Sequence, residues 1–420
     1  MRRIYFFVCI IVLCCINSAQ AHPPCPVNAR GVLQCDAEVK SSYKKSVSLH
    51  FDVDSREESY AARMLTKSLQ ERGYVINANS GDYSIKFFID KRKYDAEAFA
   101  IIPEGNVIKI IGGDYRGLIY GALSLSEDLR NEILLDNAVA RSEKPKLMLR
   151  AVKYDLPWDT YRHSEALNFH DETCRDPKYW EAFLDMMAEN RLNALSLWNL
   201  HPYPFMIIPK NYPEASPFTK EEFKEWQKLF QSIIGMAAER AIETYLIPFN
   251  IFVTPEFSVA HNVAMDNLDH HFYVRGETAQ IVKDYTRECV TQVLEEYPDL
   301  TGFGLTLGEG MAGMTPQERE AWMTETIIEG MRRANRPSKL VHRVPFSSTT
   351  ESLGNTSVET ERITRASIER EADMGFTEGP IFADFKFNWS HSLSTPKLIK
   401  VHGGPLYDTY FNPVSDKYKV

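Results

Sequence analysis

The feature that most constrains this chain is the alternation of strand and helix patterns after the Lys144-Pro145-Lys146 punctuation. Residues 149–154 read as a strand, and 178–190 as a helix with Trp180, Phe183, Leu184 and Met187 on one face. Strand patterns follow at 194–198, 244–253 and 301–307, with helices at 220–240, 277–297 and 316–334 between and after them. Residues 339–346, 381–387 and 405–410 are the next apolar strand candidates. Repeated units of this size imply a parallel sheet, because every helical crossover returns the chain to the same end. Seven strands in order are one short of a closed (β/α)8 barrel. The expected fold class is therefore α/β, with a TIM-type barrel that stops before its last unit. A doubly wound open sheet is the structural alternative.

Ahead of the barrel, residues 46–143 read as a smaller α/β region. The run Val47-Ser48-Leu49-His50-Phe51 alternates like a strand, and 60–72 carries Ala61, Met64, Leu65 and Leu69 at helical spacing. Further strands are read at 83–89 and 107–111, and a helix at 118–130. The turn Gly112-Gly113-Asp114-Tyr115-Arg116-Gly117 has a phosphate-loop look. No G-K-[ST] follows and G-x-G-x-x-G is absent, so it reads as a turn.

The first residues read as an export signal. Arg2 and Arg3 precede an apolar run from Ile4 to Ile16, and Ala19-Gln20-Ala21 supplies an A-x-A cleavage pattern. The run is too short to span ~30 Å of hydrocarbon. The expected organisation is a signal peptide over 1–21, an N-terminal α/β domain over 22–145 and a catalytic barrel over 146–420, secreted or periplasmic. Cys25 and Cys35 either close a small loop in an oxidising compartment or remain two thiols.

Composition narrows the partners. A charged fraction of 25% and a hydrophobic fraction of 44% fit a globular protein with a sizeable core. With 48 Lys and Arg against 57 Asp and Glu, the net charge of -9 argues against nucleic acid as a partner. No cofactor is expected. Neither C-x-x-C nor H-E-x-x-H is present, and Leu268-Asp269-His270-His271 lacks a matched third ligand, so no metal is expected either.

In such barrels the chemistry sits at the C-terminal strand ends. Those ends carry Trp158 and Asp159, then Trp198, Asn199 and His201, then Glu256, Glu309 and Arg343. The sixth carries Asp384, Lys386, Asn388, Trp389 and His391, and the seventh Asp408 and Tyr410. Carboxylates, a cation pair and indoles converging on one mouth suit a polyhydroxylated sugar, neutral or anionic. Glu309 follows a nearly apolar strand and lies between Gly308 and Gly310, where backbone and ligand can approach closely. Desolvation there would raise its pKa, as a general acid requires, while the bland reading is a loop glutamate bonded to neighbouring amides. Trp158 and Trp198 serve either to pack the core or to stack a sugar. Arg343 reads as a ligand contact or as the partner of a barrel carboxylate. Asp384, Lys386 and Asn388 alternate onto one strand face, for function or as an interior ion pair.

These residues resemble glycoside hydrolase family 67, the alpha-glucuronidases, and related secreted bacterial glycosidases. The run from Gly113 to Leu123 is similar to the end of the small α/β domain that this family shares with hexosaminidase-like families. Leu149-Arg150 through Trp158-Asp159 resembles the first barrel strand, and Glu189-Asn190-Arg191-Leu192-Asn193-Ala194 the approach to the second, ending at Asn199. The resemblance implies Glu309 as general acid, Arg343 and Lys386 on a uronate carboxylate, and an inverting hydrolysis without metal or cofactor. It also implies a substrate of the glucuronoxylan type, an oligosaccharide or polysaccharide. The chain departs from the family where Ser390 and His391 stand in place of an expected aspartate, where 406–410 lacks the seventh-strand glutamate, and where Leu305 replaces a lysine. Asp408 and Asp384 are the substitutes for the general base. Two other classes stay open: a catalytically degenerate carbohydrate-binding barrel, and a retaining hexosaminidase-like enzyme, whose adjacent acid pair Gly308-Glu309 does not supply.

If Ala19-Gln20-Ala21 is the processing site, protein exported by its native host should begin at His22. N-terminal sequencing checks this, and a mature chain that keeps Met1 would remove it.

Overall fold

The computed structural model describes residues 45–77, 80–160, 164–265, 274–275, 278–307, 311, 313–343, 358–384 and 416–419. The first sheet is built from β1 (Ser46–His50), β2 (Val75–Ile76), β3 (Tyr83–Ile89), β4 (Phe99–Glu104), β5 (Val107–Gly112) and β6 (Arg141–Glu143). Its order is β2-β1-β3-β5-β4-β6, with β4 antiparallel to both neighbours. Two helices, α1 (Arg56–Glu71) and α2 (Tyr115–Arg130), pack against each other and against this sheet. Strand alternation puts Tyr83, Ile85, Phe87, Ile108 and Ile110 into the core beneath them. The strand β4 was not anticipated, yet its signal is local. Gly105-Asn106 is a two-residue hairpin loop in which Gly105 takes φ of 59° and Glu104 pairs with Val107.

The glycine-rich turn serves packing. Asp114 caps α2, its Oδ1 accepting from the Gly117 amide at 2.7 Å and the Glu97 amide at 3.1 Å. A Cβ on Gly113 would lie 1.8 Å from the Asp95 carbonyl oxygen, and one on Gly117 2.2 Å from that of Ala98. The glycines therefore let the helix start press against the 95–98 backbone, which occupies the space an anion would need.

The second sheet contains β7 (Ala151–Asp155), β8 (Ala194–Asn199), β9 (Glu243–Pro248), β12 (Gly302–Thr306), β13 (Lys339–Arg343), β14 (Ile381–Asp384) and β15 (Tyr418–Lys419). A two-stranded ribbon, β10 (Phe252–Val253) with β11 (Val274–Arg275), lies apart from it. All seven strands are parallel and adjacent in chain order. A doubly wound sheet reverses its strand order at a switch point. Unidirectional order is the barrel arrangement, so the fold is α/β with a partial TIM-type barrel. The described helices between these strands are α3 (Glu165–Arg175), α4 (Pro177–Glu189), α5 (Tyr203–Met206), α6 (Lys220–Glu239), α7 (Pro255–His261), α8 (Gln280–Glu296), α9 (Pro316–Met323), α10 (Glu329–Arg333) and α11 (Val358–Asp373).

Three local features differ from the sequence expectation. The strand read over 244–253 breaks after Pro248, and Ile251 adopts a left-handed φ of 57° that turns β10 out of the sheet. The helix read over 316–334 contains a π-helical turn at Thr324–Ile328. There Thr324 and Thr326 hydroxyls donate to the carbonyls of Glu320 and Trp322, competing with the backbone ladder. The strand beside β14 is Tyr418–Lys419, while the expected seventh strand at 405–410 lies outside the described residues.

Register sorts the strand faces. Glu243, Tyr245 and Ile247 of β9 share the inner face with Ala194, Ser196 and Trp198 of β8 and with Lys339, Val341 and Arg343 of β13. At the N-terminal end, the two sheets meet in an ion network. Arg116 bonds Glu97 at 2.7 Å, Glu243 at 3.2 Å and the Ala241 carbonyl at 2.7 Å. Glu97 also receives Arg150 at 2.9 Å and Asn193 at 2.7 Å, and Glu243 receives Lys339 at 2.7 Å. Burial opposes ionisation of Glu243, but Arg116 and Lys339 outweigh it and hold its pKa below the ordinary range.

Removing one partner from such a network leaves buried charge uncompensated, at a cost of about 3–5 kcal/mol. Arg116→Ala should therefore lower the urea midpoint strongly. Removing the exposed Lys144–Asp95 pair should leave the midpoint nearly unchanged, because solvent screens it. Equal effects in denaturant titrations would show that the network does not join the sheets energetically.

Candidate active site

The last inner-facing residue of each described barrel strand lies at one rim. Asp155, Trp198 and Ile247 are in register across β7, β8 and β9, and Thr306, Arg343 and Asp384 across β12, β13 and β14. Trp198 is the hub of this rim. Its Nε1 donates to Ser196 Oγ at 3.1 Å, and Phe249 meets it edge-on at 5.9 Å. Lys153 Nζ stands 4.1 Å from the Trp198 ring centroid and Arg343 Cζ 5.0 Å. Each cation also has a carboxylate: Lys153 lies 3.4 Å from Asp155, and Arg343 Nε 3.9 Å from Asp384. The rim thus alternates two cations and two carboxylates around one indole. Trp198 is only 5% exposed, so its ring holds cations instead of offering a bare stacking face.

The other expected mouth residues behave differently. Trp158 packs against Trp226 of α6 at 5.0 Å and edge-on against Phe230 at 6.1 Å, a core-packing position on the helix side. Asp159 is buried, its Oδ2 accepting from the His201 amide at 2.9 Å. Burial pushes its carboxyl up to about 7, against the stabilising bonds from His201, Asn199 and Leu200. Asn199 follows the outward alternation of Leu195 and Leu197, which places its buried side chain on the Asp159 side of the strand. Burial pushes His201 down to about 3, so it stands as a neutral imidazole beside the Tyr285 hydroxyl at 2.9 Å. Glu256 is exposed in the first turn of α7. The structure brings Trp198, Arg343 and Asp384 together, and groups Asp159, Asn199 and His201 apart from them. Glu309, Lys386, Asn388, Trp389, His391, Asp408, Tyr410 and the 268–271 segment lie outside the described residues.

Lys153 and Asp155 were missed from sequence. Their signal is the alternation along β7, where Val152 and Tyr154 face the helices while the exposed Lys153 faces the mouth.

No protein-family model matches the chain, and no curated protein matches it. Solved structures do. A GH138 enzyme targeting pectin rhamnogalacturonan II superposes with a TM-score of 0.65 at 25% identity, over 82% of this chain and 38% of that one. This chain therefore spans well under half of that enzyme. A Streptomyces plicatus beta-hexosaminidase mutant, in complex with its product GlcNAc, gives a TM-score of 0.52 at 13% identity, covering 83% and 73% of the two chains. The GH20 beta-N-acetylhexosaminidase from Streptomyces coelicolor A3(2) gives 0.50 at 14%, covering 84% and 75%. The fold is that of glycoside hydrolases. The likeness extends to GH138 and GH20 enzymes and does not single out family 67.

The Asp159 carboxyl supplies a pH test. Its folded pKa of about 7 lies above its ordinary 3.8, so between those values the folded state binds the extra proton. That contribution is complete below the unfolded pKa and is lost as pH rises through the folded one, at most ~4 kcal/mol in all. Asp159→Asn should flatten the fall in stability between those pH values, as read from urea midpoints. An unchanged slope would place the carboxyl in an ionised state.

Proposed function

We propose that this protein is a secreted or periplasmic glycoside hydrolase that acts on uronic-acid-containing oligosaccharides, with an alpha-glucuronidase-like inverting reaction. The observation that carries this reading is Arg343. Its guanidinium ends β13 on the inner face of the rim, mostly buried, over the Trp198 indole and with its Nε 3.9 Å from Asp384. A cation–π contact of this kind contributes roughly 1–2 kcal/mol. A substrate carboxylate offers two parallel charge-assisted bonds, which a planar guanidinium is shaped to accept and which can outcompete the Asp384 contact. The GH138 neighbour, described as targeting a pectin, agrees with a polysaccharide-derived substrate.

The residues then have distinct tasks. Arg343, with Lys386 two residues further along the sequence from Asp384, anchors the carboxylate and sets the sugar's orientation. Glu309, three residues beyond the end of β12, protonates the departing glycosidic oxygen as its bond to the anomeric carbon breaks. A carboxylate on the opposite side takes a proton from the attacking water, whose oxygen forms the new bond to that carbon. Asp384, half exposed at the end of β14, is open to that water, with Asp408 the other candidate. A retaining hexosaminidase-like reaction is the second reading, favoured by the likeness to the two Streptomyces enzymes. The anomer first released, observed by NMR, separates the two: inversion supports a water-spaced carboxylate pair and retention a closer one.

Two substitutions test the assignment on the full chain. Arg343→Ala should lower kcat/KM on a uronide by roughly 100-fold, as expected for a lost charged bond of about 3 kcal/mol, and affect the neutral hexoside little. Equal losses would remove the carboxylate anchor. Glu309→Gln should cost ~10²–10⁴-fold on a natural glycoside, and far less on an aryl glycoside whose phenolate leaves unaided. Equal losses on both would exclude Glu309 as the acid, and an absence of turnover in the parent protein would favour a carbohydrate-binding barrel.

A further inference from the structure

The back of β13 carries a second polar cluster. His342 precedes Arg343 and so points to the opposite face, between the sheet and its helices. It is buried, as are Glu371 from α11 and Glu320 from α9. The flanking strands set Leu305 and Ala383 beside it in register, so the strands around it are apolar. His342 Nδ1 lies 2.8 Å from Glu371 Oε2, and Nε2 lies 3.3 Å from Glu320 Oε2. The Thr364 hydroxyl donates to the other Glu320 oxygen at 2.7 Å.

Each carboxylate thus faces its own ring nitrogen. A neutral imidazole has one N–H and one lone pair, so it would turn that lone pair toward one of the two carboxylates. The doubly protonated ring presents an N–H to both. Electrostatics favours the same state. Burial opposes charging of His342, but attraction to Glu371 and Glu320 outweighs it and pushes the ring up to about 10. Burial also raises the Glu371 carboxyl, against the attraction of His342 and of Arg370 on the same helix. Both directions favour one added proton on the triad.

We propose that His342 is a positioning residue for Arg343: an imidazolium held by Glu320 and Glu371 ties β13 to α9 and α11, and so fixes the strand end from which the guanidinium reaches the rim. The inference rests on the reading of Arg343 as the carboxylate anchor. Breaking either leg leaves a buried charge uncompensated, so the two legs act together. A guanidinium binds a carboxylate through two parallel bonds only over a narrow range of angles, and a small shift of its strand therefore weakens the grip.

The test uses the full chain and separates charge from shape. With ¹⁵N-labelled histidine, NMR near pH 8.5 should show one ring protonated at both nitrogens, where an ordinary imidazole with a pKa of about 6.5 is neutral. His342→Gln should remove that signal. On a uronide, His342→Gln should raise KM about tenfold with a much smaller change in kcat, the pattern of a weakened ground-state contact, and the neutral hexoside should respond little. In a parent without turnover, the Kd of the free uronic acid takes the place of KM. His342→Lys, which keeps a cation between the carboxylates, should hold the uronide KM within about threefold of the parent. If His342→Gln fails to fold, Thr364→Val, which removes one bond to Glu320, should raise the uronide KM by about threefold. A His342 ring with one bare nitrogen at that pH would overturn the tie. Equal losses in the Gln and Lys variants, or on uronide and neutral hexoside alike, would reduce His342 to packing and overturn its positioning role. If Arg343→Ala fails to distinguish the two substrates, the anchor reading falls and this role falls with it. A discriminating Arg343→Ala beside an indifferent His342→Gln removes this inference alone.

Discussion

The junction of Arg116 with Glu97 and Glu243 is the contact on which the rest of this architecture depends. A guanidinium from the start of α2 reaches across to the first residue of β9, while Arg150 and Asn193, near the starts of β7 and β8, return to Glu97. Three cations and two carboxylates thus close the N-terminal end of the barrel strands, all with side chains at most 26% exposed. Burial makes each charge expensive alone, so the members stand or fall together. Even backbone strain is accepted to complete the set. Glu97 takes a left-handed φ of 64°, and Asp114 compensates by accepting its amide.

Stability at one end leaves the other free for chemistry, the division of labour that this barrel type permits. Between the two ends the inner face narrows through Tyr245, Ile247 and Val341, and Gly304 of β12 makes room for Ile247, whose side chain would lie 2.7 Å from an added Cβ. Above that layer the rim turns polar. Lys153 and Arg343 are held near Trp198 by quadrupole attraction and near Asp155 and Asp384 by charge, each a modest energy. Contacts this modest are ones that a charged ligand can replace.

Much of the architecture was legible along the chain. The helices of the barrel announce themselves through 3.6-residue apolar spacing, as in Trp180, Leu184 and Met187 of α4, and through caps such as Thr219 with Glu222 at the start of α6. The barrel strands read as short apolar runs because a parallel strand is covered on both faces. The limits were local too. Ile251 bends the chain by a left-handed backbone that no periodicity records, and threonine back-bonding writes a π-turn into an otherwise regular helical pattern. Trp158 and Trp198 look alike as strand-end indoles. One packs on α6 and the other gathers cations at the rim, because a 3₁₀ turn at Pro157–Asp159 carries the first away from the inner face.

The sequence by itself determined the order of strands and helices, the apolar surfaces that make them layer, and the strand ends where polar residues collect. These properties depend on periods of 2 and 3.6 residues, which any ten-residue stretch expresses. Only the tertiary structure decided which polar groups meet. Arg116 and Glu243 are 127 residues apart, Lys153 finds Trp198 by strand register, and Glu320, His342 and Glu371 converge from two helices and a strand. Such pairings follow from register and layer packing, and a buried charge must find its partner wherever in the chain that partner lies.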